Sequence, residues 1–241
     1  MKTLGMLGGL GPESTLDYYK NIIAFYRERQ PDGSNPQFII NSIDMKKGLD
    51  FMQANNLAGM TGYLVDEIEK LANAGADFGL ISANTPHIVF DDVAAKSPIP
   101  LISIVEVTCA AAKRRGLKRL ALFGTRFTMQ ADFYPKVFSR EQIELVAPDP
   151  ADQDYIHDKY FNELVPGKFL PETRAGLLAI VDRMKNKIEP PSQGYGEPGI
   201  DGVILAGTEL PLILRDDSHN GVALLDTGKI HARAAVDRMF E

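Results

Sequence analysis

The chain has 241 residues, enough for one large or two small domains with a substantial core, and 44% of them are hydrophobic and 24% charged. A formal net charge of −6 argues against a nucleic-acid or membrane-surface role. A single cysteine, Cys109, excludes an internal disulfide and a multi-cysteine zinc site, and no apolar run approaches the roughly 20 residues that span a bilayer.

In chain order, the opening MKTLGMLGG runs into a strand and a glycine turn without a signal-peptide layout, so a cytoplasmic protein is expected. Residues 3–7 read as a strand, Gly8, Gly9 and Gly11 as a loop, and Pro12 as a first helical position. Leu16, Tyr19, Ile22, Ile23 and Tyr26 give helical spacing. After the turn-rich 30–36, residues 37–43 form a strand, and 50–74 one long helix stopped by Gly75. Residues 77–82 are the third strand, 85–95 a helix and 101–104 a fourth strand.

The pattern then restarts. A helix over 106–115 precedes a strand at 119–123 that ends in Gly124-Thr125. Helices follow at 129–138, 152–164 and 171–188, with a short strand at 144–147. Residues 189–199 are a Pro/Gly-rich loop, read either as a flap over a pocket or as a surface insertion. Strands at 202–205 and 222–225 and a helix over 229–239 close the chain. Alternating strands and helices in two series predict an α/β fold of two similar lobes, each a mostly parallel sheet flanked by helices.

Two stretches share one design. LISANTPH at 80–87 and ILAGTELP at 204–211 each end a buried strand in a small residue followed by Asn-Thr or Thr-Glu. Ligands of open α/β sheets bind at such strand ends, and the free N–H groups and dipole of a helix start favour anions. Gly124, Thr125 and Thr128 make a third turn of this kind, and together the three predict a pocket for a small carboxylate. Asn84 and Thr85 also serve as caps, and Thr208 and Glu209 take the matching place later in the chain.

Gly8-Gly9-Leu10-Gly11 has Ser14 where a dinucleotide fingerprint needs its third glycine, although Asp44 could serve a ribose. Gly9 suits equally the close approach of a small ligand. His87, in the first turn after Thr85, is a candidate acid/base or a neutral core histidine. Lys46, Lys47 and Arg126, just past strand ends, are candidates for pairing a substrate carboxylate or are solvated charges. His157 with Asp154 and Asp158 is a weak metal pattern, and no metal is expected. Cys109 reads as a buried small hydrophobe.

The opening MKTLGMLGGLGPEST, the central GADFGLISANTPH, PLISIVEVT, ALFGTRFTM and the late DGVILAGTELPLIL together resemble the cofactor-independent aspartate/glutamate racemases over essentially the whole chain. The resemblance implies two lobes related by a pseudo-twofold axis, 1–104 with 215–241 and 105–214. It also implies an active site between them, no cofactor, a homodimer and an amino-acid substrate. Members carry two cysteines, in C-N-T and G-C-T-E patterns; one thiolate removes the α-proton and the opposite thiol delivers one. Here those positions are Ala83 and Gly207, neither of which can hold a proton.

Asn84, Thr85, Thr125 and Thr208 match family positions that line the substrate site. Three readings follow: a racemase-like isomerase with another acid/base pair drawn from Ser82, Thr85, His87, Thr208 and Glu209; a lyase or decarboxylase needing one acid; or a binder of a small carboxylate without turnover. Hydroxyls are far weaker acids than thiols, so such a pair needs strong activation or a carboxylate partner, and Glu209, if buried, could work as one near neutrality.

Overall fold

The computed structural model describes residues 1–186 and 199–241. Nearly all of the predicted 189–199 flap or insertion lies outside the described residues. The chain divides into two compact units, 1–107 with 228–241, and 108–227.

The first unit holds β1 (Leu4–Gly8), α1 (Pro12–Arg29), β2 (Phe38–Ser42), α2 (Met45–Gln53), α3 (Leu57–Asn73), β3 (Phe78–Ile81), a 3-10 turn (Thr85–Val89), α4 (Phe90–Lys96) and β4 (Leu101–Ile102). Its four strands lie parallel in the order β2-β1-β3-β4. Every residue of β1 and β3 is buried, as expected of central parallel strands covered on both faces. Period-two alternation sorts them. Leu4, Met6, Phe78 and Leu80 pack with Tyr18 and Ile22 of α1 and with Val236, while Leu7 and Ile81 pack with Leu64 and Ile68 of α3 and Val93 of α4. Each fully buried Leu or Ile contributes roughly 1.5–3 kcal/mol relative to exposure.

The chain enters the second unit within α5 (Ile104–Arg114). There follow β5 (Arg119–Gly124), α6 (Arg126–Gln130), α7 (Phe133–Arg140), β6 (Glu144–Val146), α8 (Pro150–Lys159), a π-helical turn (Tyr160–Leu164), α9 (Pro171–Asn186), β7 (Gly202–Ala206), α10 (Leu210–Ile213), β8 (Ser218–His219) and β9 (Val222–Asp226). The sheet order is β6-β5-β7-β9-β8, with β8 alone antiparallel. Ala121, Phe123, Val203 and Leu205 pack on Ile156 of α8 and on Leu177, Ile180 and Val181 of α9. The chain returns to the first unit with α11 (Thr227–Met239).

Several expectations are corrected. The lobe boundary at 214 is too early, because β9 hydrogen-bonds in parallel to β7 and so carries the second unit on to Thr227. The long helix over 50–74 is two helices. Asn55 adopts a left-handed φ of 50°, and the Asn56 side chain accepts the Gly59 N–H at 2.8 Å to start α3. The helix over 129–138 is likewise two, α6 and α7. The helix expected directly after β3 starts as a 3-10 turn, and only short helices, α6 and α10, follow β5 and β7. The aligned dipole invoked for anions at those three turns is therefore small.

Candidate active site

In each unit the strand order reverses between two adjacent strands, β1 with β3 and β5 with β7. The crevice outside their carboxyl ends is the ligand-binding position of an open α/β sheet. The predicted residues collect at these two ends.

In the first unit the register pairs Leu7 with Ile81, which sets Gly9 and Ser82–Thr85 at neighbouring strand ends. Gly9 has φ +79°, and an added Cβ would lie 2.4 Å from Ile43 O and 2.6 Å from Ser42 Oγ. Only glycine fits there. Its N–H donates to Thr15 Oγ1 at 2.9 Å, so that amide is committed inside the loop. Ala83 and Asn84 are buried, and Thr85 opens the 3-10 turn half-buried.

Two catalytic candidates of this unit are structural instead. Ser82 is buried, and its Oγ donates to Leu7 O at 2.7 Å across the sheet. His87 is buried against Phe90, with ring centroids 4.9 Å apart. The Ile104 N–H donates to its Nε2 at 3.2 Å, so the ring proton sits on Nδ1 and is given to Ala83 O at 2.9 Å. Burial, reinforced by His231, pushes His87 down to about 3. With both nitrogens held by backbone groups, His87 fixes the turn that carries Ala83.

The lysines stand at the start of α2. The Asp44 side chain caps the helix by accepting the Lys46 N–H at 2.9 Å. Lys46 Nζ pairs with Asp50 at 2.6 Å, both groups exposed, and Lys47 Nζ lies 4.3 Å from the centroid of the Tyr63 ring.

In the second unit Gly124 pairs with Ala206, which sets Gly124-Thr125 beside Gly207-Thr208-Glu209. Thr125 Oγ1 accepts the Thr128 N–H at 3.3 Å and lies 3.2 Å from Thr128 Oγ1, so the pair caps α6. Arg126 pairs with exposed Asp154 at 2.7 Å, and its backbone N–H donates to His157 Nδ1 at 3.1 Å. That bond and the ion pair give His157 and Asp154 structural work in place of the metal pattern.

Glu209 is completely buried. Thr208 Oγ1 donates to its Oε2 at 3.2 Å, and Tyr160 Oη donates to the same oxygen. Gly207 touches the Tyr160 ring: an added Cβ would lie 2.5 Å from Tyr160 Cε2. Burial first, then the Glu209 carboxylate, raises the Tyr160 phenol well above its ordinary range. Sequence reasoning missed Tyr160, because it fell inside an apparently regular helix over 152–164. The π-helical turn re-aims it, with the Val165 N–H donating to Tyr160 O at 2.9 Å across five residues. The one available signal was an empty position at Gly207 that some large side chain had to fill.

Comparison with known proteins fits this geometry. Over 100% of both chains the protein is 33% identical to an aspartate racemase homologue from Pyrococcus horikoshii OT3, with a TM-score of 0.80. Over 100% of this chain and 95% of the other, it superposes on the aspartate racemase of Picrophilus torridus with a TM-score of 0.79 at 19% identity, a likeness of fold. It is 26% identical over 149 residues to the broad specificity amino-acid racemase RacX of Bacillus subtilis strain 168, a match spanning 61% of this chain and 64% of that protein. The family model described as Asp/Glu/Hydantoin racemase matches residues 7–235, and the chain belongs to that family.

Proposed function

We propose that this protein binds a small acidic amino acid of the aspartate/glutamate class and moves its α-proton without a cofactor, with Glu209 as the base. The observation that carries the reading is a wholly buried carboxylate two residues from the vacant thiol position, Gly207. A carboxylate removed from water is a stronger base than one on the surface, and the α-proton of an amino acid demands one. Thr125, Thr128 and Thr208, at the same strand ends of the second unit as Glu209, supply neutral polar groups suited to orient the substrate carboxylate.

Ala83, at the family's other cysteine position, carries a methyl, and its neighbours Ser82 and His87 are committed to backbone groups. Proton transfer by a single group returns the proton to the face from which it left. Exchange of the α-proton then outruns inversion. Incubation of L- and D-aspartate and L- and D-glutamate in D2O, followed by NMR and chiral analysis, tests this. Deuterium at Cα appearing faster than the opposite enantiomer is expected. Release of CO2 or a fragment would indicate a lyase on the same scaffold. Stabilisation by an acidic amino acid with no exchange would indicate a non-catalytic binder, the reading that the two missing thiols favour.

A homodimer accompanies this reading. Leu16 and Tyr19 of α1 and Ile40 of the edge strand β2 are exposed large apolar residues in the first unit, and such residues are expected to be covered in a stable assembly. Sedimentation velocity would show twice the chain mass.

A further inference from the structure

We infer that Tyr160 replaces the thiol of position 207 and carries the α-proton between the substrate and Glu209. The inference rests on the proton-transfer reading above.

Three observations support it. The Tyr160 ring occupies the space a side chain at 207 would need: beside the 2.5 Å approach to Cε2, a Cβ there would lie 3.2 Å from both Cδ2 and Cζ. The phenol is hydrogen-bonded to the buried carboxylate of Glu209. The residue is delivered by a π-helical turn, a rare distortion frequent at functional sites. Packing alone does not account for the pair. A phenylalanine would fill the same volume, and burying a carboxylate with a hydroxyl carries a desolvation cost that an apolar pair of similar volume avoids.

The step balances as a relay. The substrate Cα–H bond breaks as its proton bonds to Tyr160 Oη, while the Tyr160 O–H proton passes to Glu209 Oε2. The electron pair left on Cα delocalises into the substrate carboxylate, and no oxidant or co-reactant is required. The reverse path returns a proton, now a deuteron in D2O, to Cα. Tyr160 stays neutral before and after the step, which suits a phenol whose ionisation is disfavoured.

The test compares wild type, Tyr160→Phe, Glu209→Gln and the double variant, with aspartate and glutamate as probes. Two readouts are the α-deuterium exchange rate and the rise in melting temperature on adding amino acid. Each single variant is expected to lose about 100-fold or more in exchange while keeping the ligand-induced rise, and the double variant to be no worse than either. Unchanged exchange in Tyr160→Phe, with wild type active, would overturn this inference and leave the proposed activity standing. Should Tyr160→Phe fail to fold, replacing Tyr160 by a fluorotyrosine, which keeps the ring and lowers the phenol pKa, decides: an exchange rate and pH profile identical to wild type overturn the relay and leave the proposed activity standing. Wild type that is stabilised by amino acid yet exchanges nothing would overturn both.

Discussion

His87 Nε2 accepts the backbone N–H of Ile104 at 3.2 Å, and through this bond one imidazole ties the end of β3 to the start of α5. The other nitrogen holds Ala83 O, so a residue with the chemistry of a general base serves as a buried backbone clamp. Removing it leaves a donor and an acceptor without partners in a dry site, together with a cavity. His87→Ala is expected to cost about 3 kcal/mol or more, read as a lowered urea midpoint at pH 7.

The same burial makes stability depend on pH. His87 is pushed to about 3 and His231 to about 4, both chiefly by burial. His231 is clamped in its turn, by Tyr18 Oη at Nδ1 and Ile102 O at Nε2, each at 3.0 Å. Above the ordinary histidine value both rings are neutral folded or unfolded, and stability is full. As pH falls below about 6.5 the unfolded chain binds protons that the folded chain refuses, so stability drops down to about pH 4 for His231 and about pH 3 for His87. Between pH 7 and 5 the loss is expected to be roughly 2 kcal/mol per histidine. Denaturant titrations at the two pH values check it, and replacing either histidine should roughly halve the slope.

Gly207 and Tyr160 should behave as a coupled pair. Gly207→Ala places a methyl 2.5 Å from Tyr160 Cε2, and the ring, itself packed in the core, has little room to yield. A destabilisation of about 1–3 kcal/mol is expected. In a Tyr160→Ala background the same substitution should cost little, since the ring that opposes it is gone. A double-mutant cycle by thermal unfolding measures the coupling; simple additivity would contradict the contact.

Gly9→Ala should destabilise for a different reason. Its φ of +79° and the 2.4 Å approach to Ile43 O act together, and neither the backbone of β1 nor that of the β2 end is free to shift. A loss of about 2 kcal/mol or more is expected from the strain, seen as a lowered melting temperature. Replacing Gly33, which also has a positive φ but no neighbour within 4 Å, should cost less.

Sequence periodicity and turn chemistry were enough to read an α/β fold with two strand-helix series, and the buried runs LGMLG and GVILA marked central parallel strands because such strands are covered on both faces. The carboxyl ends of the buried strands, before Ser82, at Gly124 and before Gly207, were also legible, since a small or polar residue after a buried run has a local signature. The failures were of contacts between segments distant in sequence. Nothing near His87 shows that Ile104 will claim its second nitrogen, and nothing near Tyr160 shows that its ring will fill the space at Gly207. Likewise, nothing local to residues 215–227 shows that β9 pairs with β7 and so belongs to the second unit. Local pattern follows from the chain's own geometry and is carried by its residues. Which side chain occupies a vacancy, and whether a titratable group is free or clamped, depends on partners dozens of residues away, and only the packed structure decides it.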